Sequence, residues 1–146
     1  MKIDISEWHY SKNNPIRVEL GVHTSLSDPV AGVNISHLLD WMKYCDHIRV
    51  GVADFNSVRC FPKFSGFEYT DAPDPFFGME SLLRKDSGNS YAIKIYVKNQ
   101  SGLRNLYRLV GKLYQPGRKY QALSAEEVNS HKKGLLIGTA GAGEVF

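Results

Sequence analysis

The chain has 146 residues, 42% of them apolar and 23% charged, with a formal net charge of +3. These are the proportions of a single globular domain with a core of its own, over 1–146, and they exclude wholesale disorder. Lysine and arginine are scattered rather than bunched, which argues against nucleic acid as a partner, and no apolar run reaches the about 18–20 residues of a membrane span.

The opening decapeptide MKIDISEWHY has no apolar core, so the expectation is a cytoplasmic protein with no signal peptide. Residues 1–14 read as a polar N-terminal arm or an edge strand, closed by the turn signal KNNP. Ile16, Val18, Leu20 and Val22 then alternate, which predicts a strand over Ile16–Val22. After a loop broken by Pro29 and Gly32, Asn34 is a good N-cap. Ile35, Leu38, Leu39, Met42 and Cys45 recur behind it at helical spacing. Ile48, Val50 and Val52 alternate again, predicting a second strand over Ile48–Val52.

Tyr91–Val97 repeats the alternation through Ile93, Ile95 and Val97, leaving Ala92, Lys94 and Tyr96 on the other face. Ser101 reads as the N-cap of a second helix with the stripe Leu103, Leu106, Tyr107, Val110, Leu113 and Tyr114, stopped by Pro116-Gly117. YQALS and GLLIGTA supply one or two further strands, and the glycine-rich end at 139–146 reads as a flexible tail or a swapped terminal segment. Two strand–helix–strand passes predict an α+β fold: a ferredoxin-like sandwich, its sheet mainly antiparallel, with both helices on one face. Such a sheet leaves its other face needing cover, and the expectation is an assembly of copies that buries it.

The stretch from Asn56 to Asn89 is too long for a hairpin and reads as an ordered insertion between strands two and three. Seven aromatics, Phe55, Phe61, Phe64, Phe67, Tyr69, Phe76 and Phe77, argue that it is ordered. Within it, 67–82 reads as a lid or wall stiffened by Pro73 and Pro75. Glu80 and Tyr69 face a pocket there, and the carboxylate and aromatic faces together suit a small cationic ligand. Glu68, Phe61, Phe76, Phe77 and, further on, His131 are the accompanying binding residues. Arg59, Lys63, Arg84 and Lys85, interleaved with aromatics, are the residues that would steer nucleotides if this were a nucleotide binder.

Other motifs are incomplete. His23-Thr24-Ser25-Leu26 fits one half of a two-histidine phosphoesterase pattern whose second half is missing. Cys45 and Cys60 lack ligand spacing and read as reduced structural thiols, with no metal site. GTAGAG lacks the lysine of a phosphate loop.

Val33-Asn34-Ile35-Ser36, Cys60-Phe61, the run Lys98, Asn105, Arg108, Leu109 and the run His131, Gly134, Leu135 occur in an order that resembles the phage-encoded S-adenosylmethionine lyases. The resemblance covers roughly residues 16 to 137. It implies a homotrimer of ferredoxin-like subunits with S-adenosylmethionine bound between neighbours. It further implies an anti-restriction role in a host cytoplasm, no cofactor, and cleavage to methylthioadenosine and homoserine lactone. The chain departs from the pattern at two positions. Phe61 stands where the family has a tyrosine, and Asn89-Ser90 where it has a glutamate. Tyr69 and Glu80 are the substitutes the insertion offers. A non-enzymatic phage inhibitor or a nucleotide-binding protein on the same scaffold is the alternative.

Overall fold

The computed structural model describes residues 17–27, 32–44, 48–64, 75–85, 88–119 and 121–145. Among the described residues it is an α+β arrangement of a six-stranded sheet and four helices. In chain order these are β1 (Arg17–Val22), α1 (Ile35–Tyr44), β2 (Ile48–Phe55), α2 (Phe61–Phe64), β3 (Phe76–Arg84), β4 (Ser90–Val97), α3 (Gln100–Leu113), β5 (Ala122–Ser124), α4 (Ala125–His131) and β6 (Leu135–Val145). No described helix is long and apolar enough to cross a membrane.

The helices start where local chemistry lets them. Asn34 caps α1, its Oδ1 accepting from the Ser36 amide at 2.9 Å while its carbonyl accepts from Leu38. For α3 the cap is Asn99 rather than Ser101. Asn99 is extended, and its Oδ1 accepts from the Gly102 amide at 3.0 Å. A reciprocal capping box joins Ser124 and Glu127 at the start of α4.

The strand order is β1-β2-β3-β4-β6, with β5 on β3. Strands β1, β2 and β3 run parallel in succession, β5 is parallel to β3, and only β3–β4 and β4–β6 are antiparallel. The sheet is therefore mixed rather than mainly antiparallel. The two strands joined through α1 are direct neighbours, whereas a ferredoxin-like order would place another strand between them.

The cause is β3. The expected insertion between strands two and three contains a central strand, which pairs with β2 on one side and β4 on the other. The glycine-rich end is likewise strand rather than tail, since β6 pairs with β4 as far as Val145. The expected arm, Cys45 and the 67–74 part of the expected lid, with Glu68 and Tyr69, lie outside the described residues.

Alternation divides the sheet into two faces. Val50, Val52, Met79, Ile93 and Ile95 meet Leu38, Leu39 and Met42 of α1 and Leu106, Leu109 and Leu113 of α3; α4 joins through Val128. Both long helices thus cover one face, as the periodicity predicted. The opposite face carries Leu20, Gly51, Ala53, Phe55, Gly78, Glu80, Leu82, Lys94 and Tyr96, partners in register across β1 to β4. Leu20, Phe76 and Leu136 are about half exposed there, at 54%, 47% and 57%. No described helix covers them.

Candidate functional site

Two polar clusters sit near the ends of the parallel strands, one on each side of the sheet. The first is buried. Asp54, at the end of β2, accepts from the Thr24 amide at 2.6 Å and from the Thr24 hydroxyl at 2.7 Å, and both residues are shielded from solvent. Cys60 lies against the same pair. Burial pushes its thiol well above the ordinary range, and the neighbouring Asp54 carboxylate adds to the effect. A thiol held protonated is no nucleophile, so Cys60 is structural. Thr24 does the same for the His23-Thr24-Ser25 stretch. Its hydroxyl is committed to fastening β1 to β2.

The second cluster lies on the helix-free face. His23 follows β1, and its Nε2 is 3.2 Å from Glu80 Oε2, which makes Nε2 the proton-bearing nitrogen. Lys94 Nζ approaches the same carboxylate oxygen at 3.8 Å. All three side chains are mostly but not wholly enclosed, at 17%, 18% and 23% exposure. Beside them Tyr96 reaches from β4 across Gly78 and Gly51 to accept the Gly21 amide at 2.7 Å. Burial raises the Tyr96 phenol, the Gly21 amide partly offsets this, and the Glu80 charge raises it further. The phenol therefore stays protonated and is no general base.

Local sequence builds this arrangement. Gly21 has φ +83°, at the irregularity where the β1–β2 register shifts, and a Cβ there would collide with the Lys94 side chain. The positive φ favours glycine at this position, and the missing Cβ leaves room for the end of the Lys94 side chain.

Further along the same face a cavity of about 600 Å³ is lined by Phe55, Leu82, Arg84, Lys85, Gly88, Ser90, Gln121 and Ala122. It forms because the edge of β3 changes partner. Residues 76–80 of β3 pair with β2 and 82–84 pair with β5. Asn56 fills the seam with φ +48°. Its amide donates to the Glu80 carbonyl, its Oδ1 accepts from Ser81, its Nδ2 donates to the Gln121 carbonyl and its carbonyl accepts from the Tyr114 hydroxyl. No described buried side-chain polar atom lacks a partner.

The sequence-predicted residues separate. Glu80 stands on the open face beside two groups the sequence reading had not joined to it. Phe61 and Phe77 are core. Their rings are 4.8 Å apart, and Phe64 packs on Phe77 at 6.1 Å. Strand alternation turns Phe77 inward and leaves Phe76 outside. His131 ends α4, its Nδ1 2.8 Å from the Glu127 carbonyl, on the element that joins the helix-side core. It is not brought to Glu80. Ser90 opens β4 and lines the cavity.

The missed partners are His23, Lys94 and Tyr96. Alternation already placed Lys94 and Tyr96 on one face, but nothing local indicated that β3 would run beside them. Among the described residues, no cluster of histidine, cysteine and carboxylate side chains is arranged to hold a metal ion. No family model matches the chain, and no curated protein matches it significantly.

Proposed function

We propose that the helix-free face is the substrate face of an S-adenosylmethionine lyase acting as a homotrimer. The observation that carries the reading is the Glu80 carboxylate held between His23 and Lys94 on a sheet face with exposed apolar residues around it. S-adenosylmethionine carries a sulfonium, an ammonium and a carboxylate. A cluster containing both signs is complementary to it, Glu80 toward the cationic centre and Lys94 toward the carboxylate. Leu20, Phe76 and Leu136 offer apolar surface that neighbouring subunits would cover, closing the site between copies.

The reaction asks little acid–base chemistry of the protein. The substrate's carboxylate oxygen bonds to its own γ-carbon as the carbon–sulfur bond breaks. The bonding pair passes to sulfur, leaving neutral methylthioadenosine and homoserine lactone, with no proton transferred. What the site must supply is a folded substrate with the attacking oxygen about 3–3.5 Å from carbon. It must also exclude water, so that carboxylate and sulfonium cancel each other. A protonated Tyr96 and an inert Cys60 are compatible with that limited role.

The test is incubation with S-adenosylmethionine and chromatography for methylthioadenosine, together with sedimentation. Turnover by a trimer supports the reading. Binding without turnover leaves a binding protein on this face. Absence of both, or a monomer at micromolar concentration, refutes it.

A further inference from the structure

We propose that the outward face of α3, with the turn that follows α4, is a docking surface for single-stranded nucleic acid. Lysine and arginine look scattered along the chain, yet residues 87–125 contain seven of them and no acid. Leu106, Leu109 and Leu113 turn one side of α3 to the core, which sends Arg104 and Arg108, one turn apart, to the opposite side. Both arginines are exposed.

The fold adds a second set of cations. The Asn105 side-chain amide donates to the Lys133 carbonyl at 2.9 Å, and the Lys98 backbone amide donates to the Gly134 carbonyl at 2.9 Å. These bonds seat Lys132 and Lys133, at the end of α4, and Lys98, just before α3, beside the first turns of the same helix. All three lysines are exposed. Arg108 donates to Asn105 Oδ1 at 3.0 Å and Lys132 to Asn129 Oδ1 at 3.3 Å, both uncharged acceptors. The described ion pairs, His23–Glu80, Lys94–Glu80 and Arg118–Glu127, engage none of the five. The carboxylates of α4, Glu126 and Glu127, are in its first turn, at the opposite end from Lys132. Glu127 is held there by Arg118 and is near enough to Lys112, in the last turn of α3, to feel its charge.

Along one flank of the arginine stripe stand Tyr107 and Tyr114, about two turns apart and 48% and 57% exposed. Both rings are fixed from behind. Tyr107 packs on Phe61 with ring centroids 6.5 Å apart, and the Tyr114 hydroxyl donates to the Asn56 carbonyl at 3.0 Å. Preoriented aromatic faces beside exposed cations suit a single strand, whose bases stack while its phosphates take the charges. A duplex hides its base faces, and an acidic peptide offers no row of rings to stack on. Phosphates and base faces are common to DNA and RNA, so the strand rather than its sugar is what this surface recognises. α3 covers the helix side of the sheet and Glu80 stands on the other, so this surface is separate from the proposed S-adenosylmethionine face.

Fluorescence anisotropy of the full chain with labelled oligothymidylate, at rising salt, tests it. The log–log salt slope should be about −3.5, since a single strand gives about 0.7 per phosphate neutralised and five exposed cations are engaged. Oligouridylate should bind within about threefold of oligothymidylate, and a duplex of the same length or polyglutamate about tenfold or more weaker. The Arg104→Gln/Arg108→Gln double variant should lose about tenfold at low salt and flatten the slope by about 1.4. Tyr107→Leu, which keeps apolar packing on Phe61, should lose about tenfold with the slope unchanged. Lys43→Gln, on α1, should change neither quantity. Circular dichroism verifies that each variant is folded. The proposal is overturned if oligothymidylate does not bind at low salt, if duplex or polyglutamate binds as tightly, or if Tyr107→Leu is silent. It is overturned equally if Lys43→Gln weakens binding as much as the arginine pair does.

Discussion

The Gly21 amide donates to the Tyr96 hydroxyl at 2.7 Å, joining β1 to β4 over the two strands that lie between them. The ring passes over Gly78, where an added Cβ would stand 2.5 Å from Tyr96 Cδ1 and 2.7 Å from the Ile95 carbonyl oxygen. The second obstacle is backbone within the sheet and cannot swing aside. Gly78→Ala should therefore cost about 1–3 kcal/mol by overpacking. Tyr96→Phe, which removes only the hydroxyl, should cost about 1 kcal/mol. Urea denaturation of the two variants checks the order.

Adjacent phenylalanines should behave oppositely. Phe77 packs between Phe61 and Phe64, and its truncation to alanine should cost about 3–5 kcal/mol, seen as a sharply lower melting temperature. Phe76 is 47% exposed on the other face, so Phe76→Ala should leave melting nearly unchanged. Equal losses would mean that β3 is not in this register.

Asn56 joins a left-handed backbone to bonds with Ser81 of β3 and with Gln121 just before β5. Asn56→Gly keeps the conformation and loses the side-chain bonds, leaving the buried Ser81 hydroxyl short of a partner. A loss of about 1–3 kcal/mol is expected. Asn56→Ala should lose more, because alanine also strains at φ +48°. Thermal melts of the pair separate the two contributions.

Glu80→Gln should keep the fold, since glutamine has nearly the same size and keeps an oxygen that can accept from His23. If Glu80 orients a cationic ligand, turnover or affinity for S-adenosylmethionine should fall roughly 30- to 1,000-fold, about 2–4 kcal/mol in a site closed to water. Chromatographic detection of methylthioadenosine, with circular dichroism as the control for folding, decides it.

Acid should expose the Arg118–Glu127 pair. Hydrogen bonding from Arg118 holds the Glu127 carboxyl down at about 2, below its ordinary 4.5, and the Ser124 amide assists. A folded-state pKa below the unfolded one gives stability that is complete above about pH 4.5 and is lost as pH falls toward 2. Allowing for solvent screening, the loss is on the order of 1–2 kcal/mol. Arg118→Gln should remove most of that pH dependence, measurable as a flatter stability profile between pH 5 and 2 relative to the parent.

Alternation and caps made much of the secondary structure legible. Ile93, Ile95 and Val97 on one face of β4 and Asn34 before α1 are local signals that lie where the local chemistry puts them, whereas the α3 stripe holds only in part: Leu106 and Leu113 are buried, Leu109 joins them, and Tyr107 and Tyr114 stay about half exposed. Glu80 stood out as an acid in an aromatic stretch, expected on a lid, and lies instead on the central strand β3. Sequence could not say what stands beside it. A period of two assigns a residue to a face of its strand but does not choose the strand's neighbour. That choice depends on contacts distant in the chain, such as Glu80 with Lys94 and, through the end of β1, with His23. Pro73, Pro75 and the paired phenylalanines made 76–84 look like an excursion, yet once β2 and β4 offer it two edges it becomes the centre of the sheet. The seam at Asn56 and the cavity beside it arise from one strand edge being shared by β2 and β5, a relationship that exists only after the chain has folded.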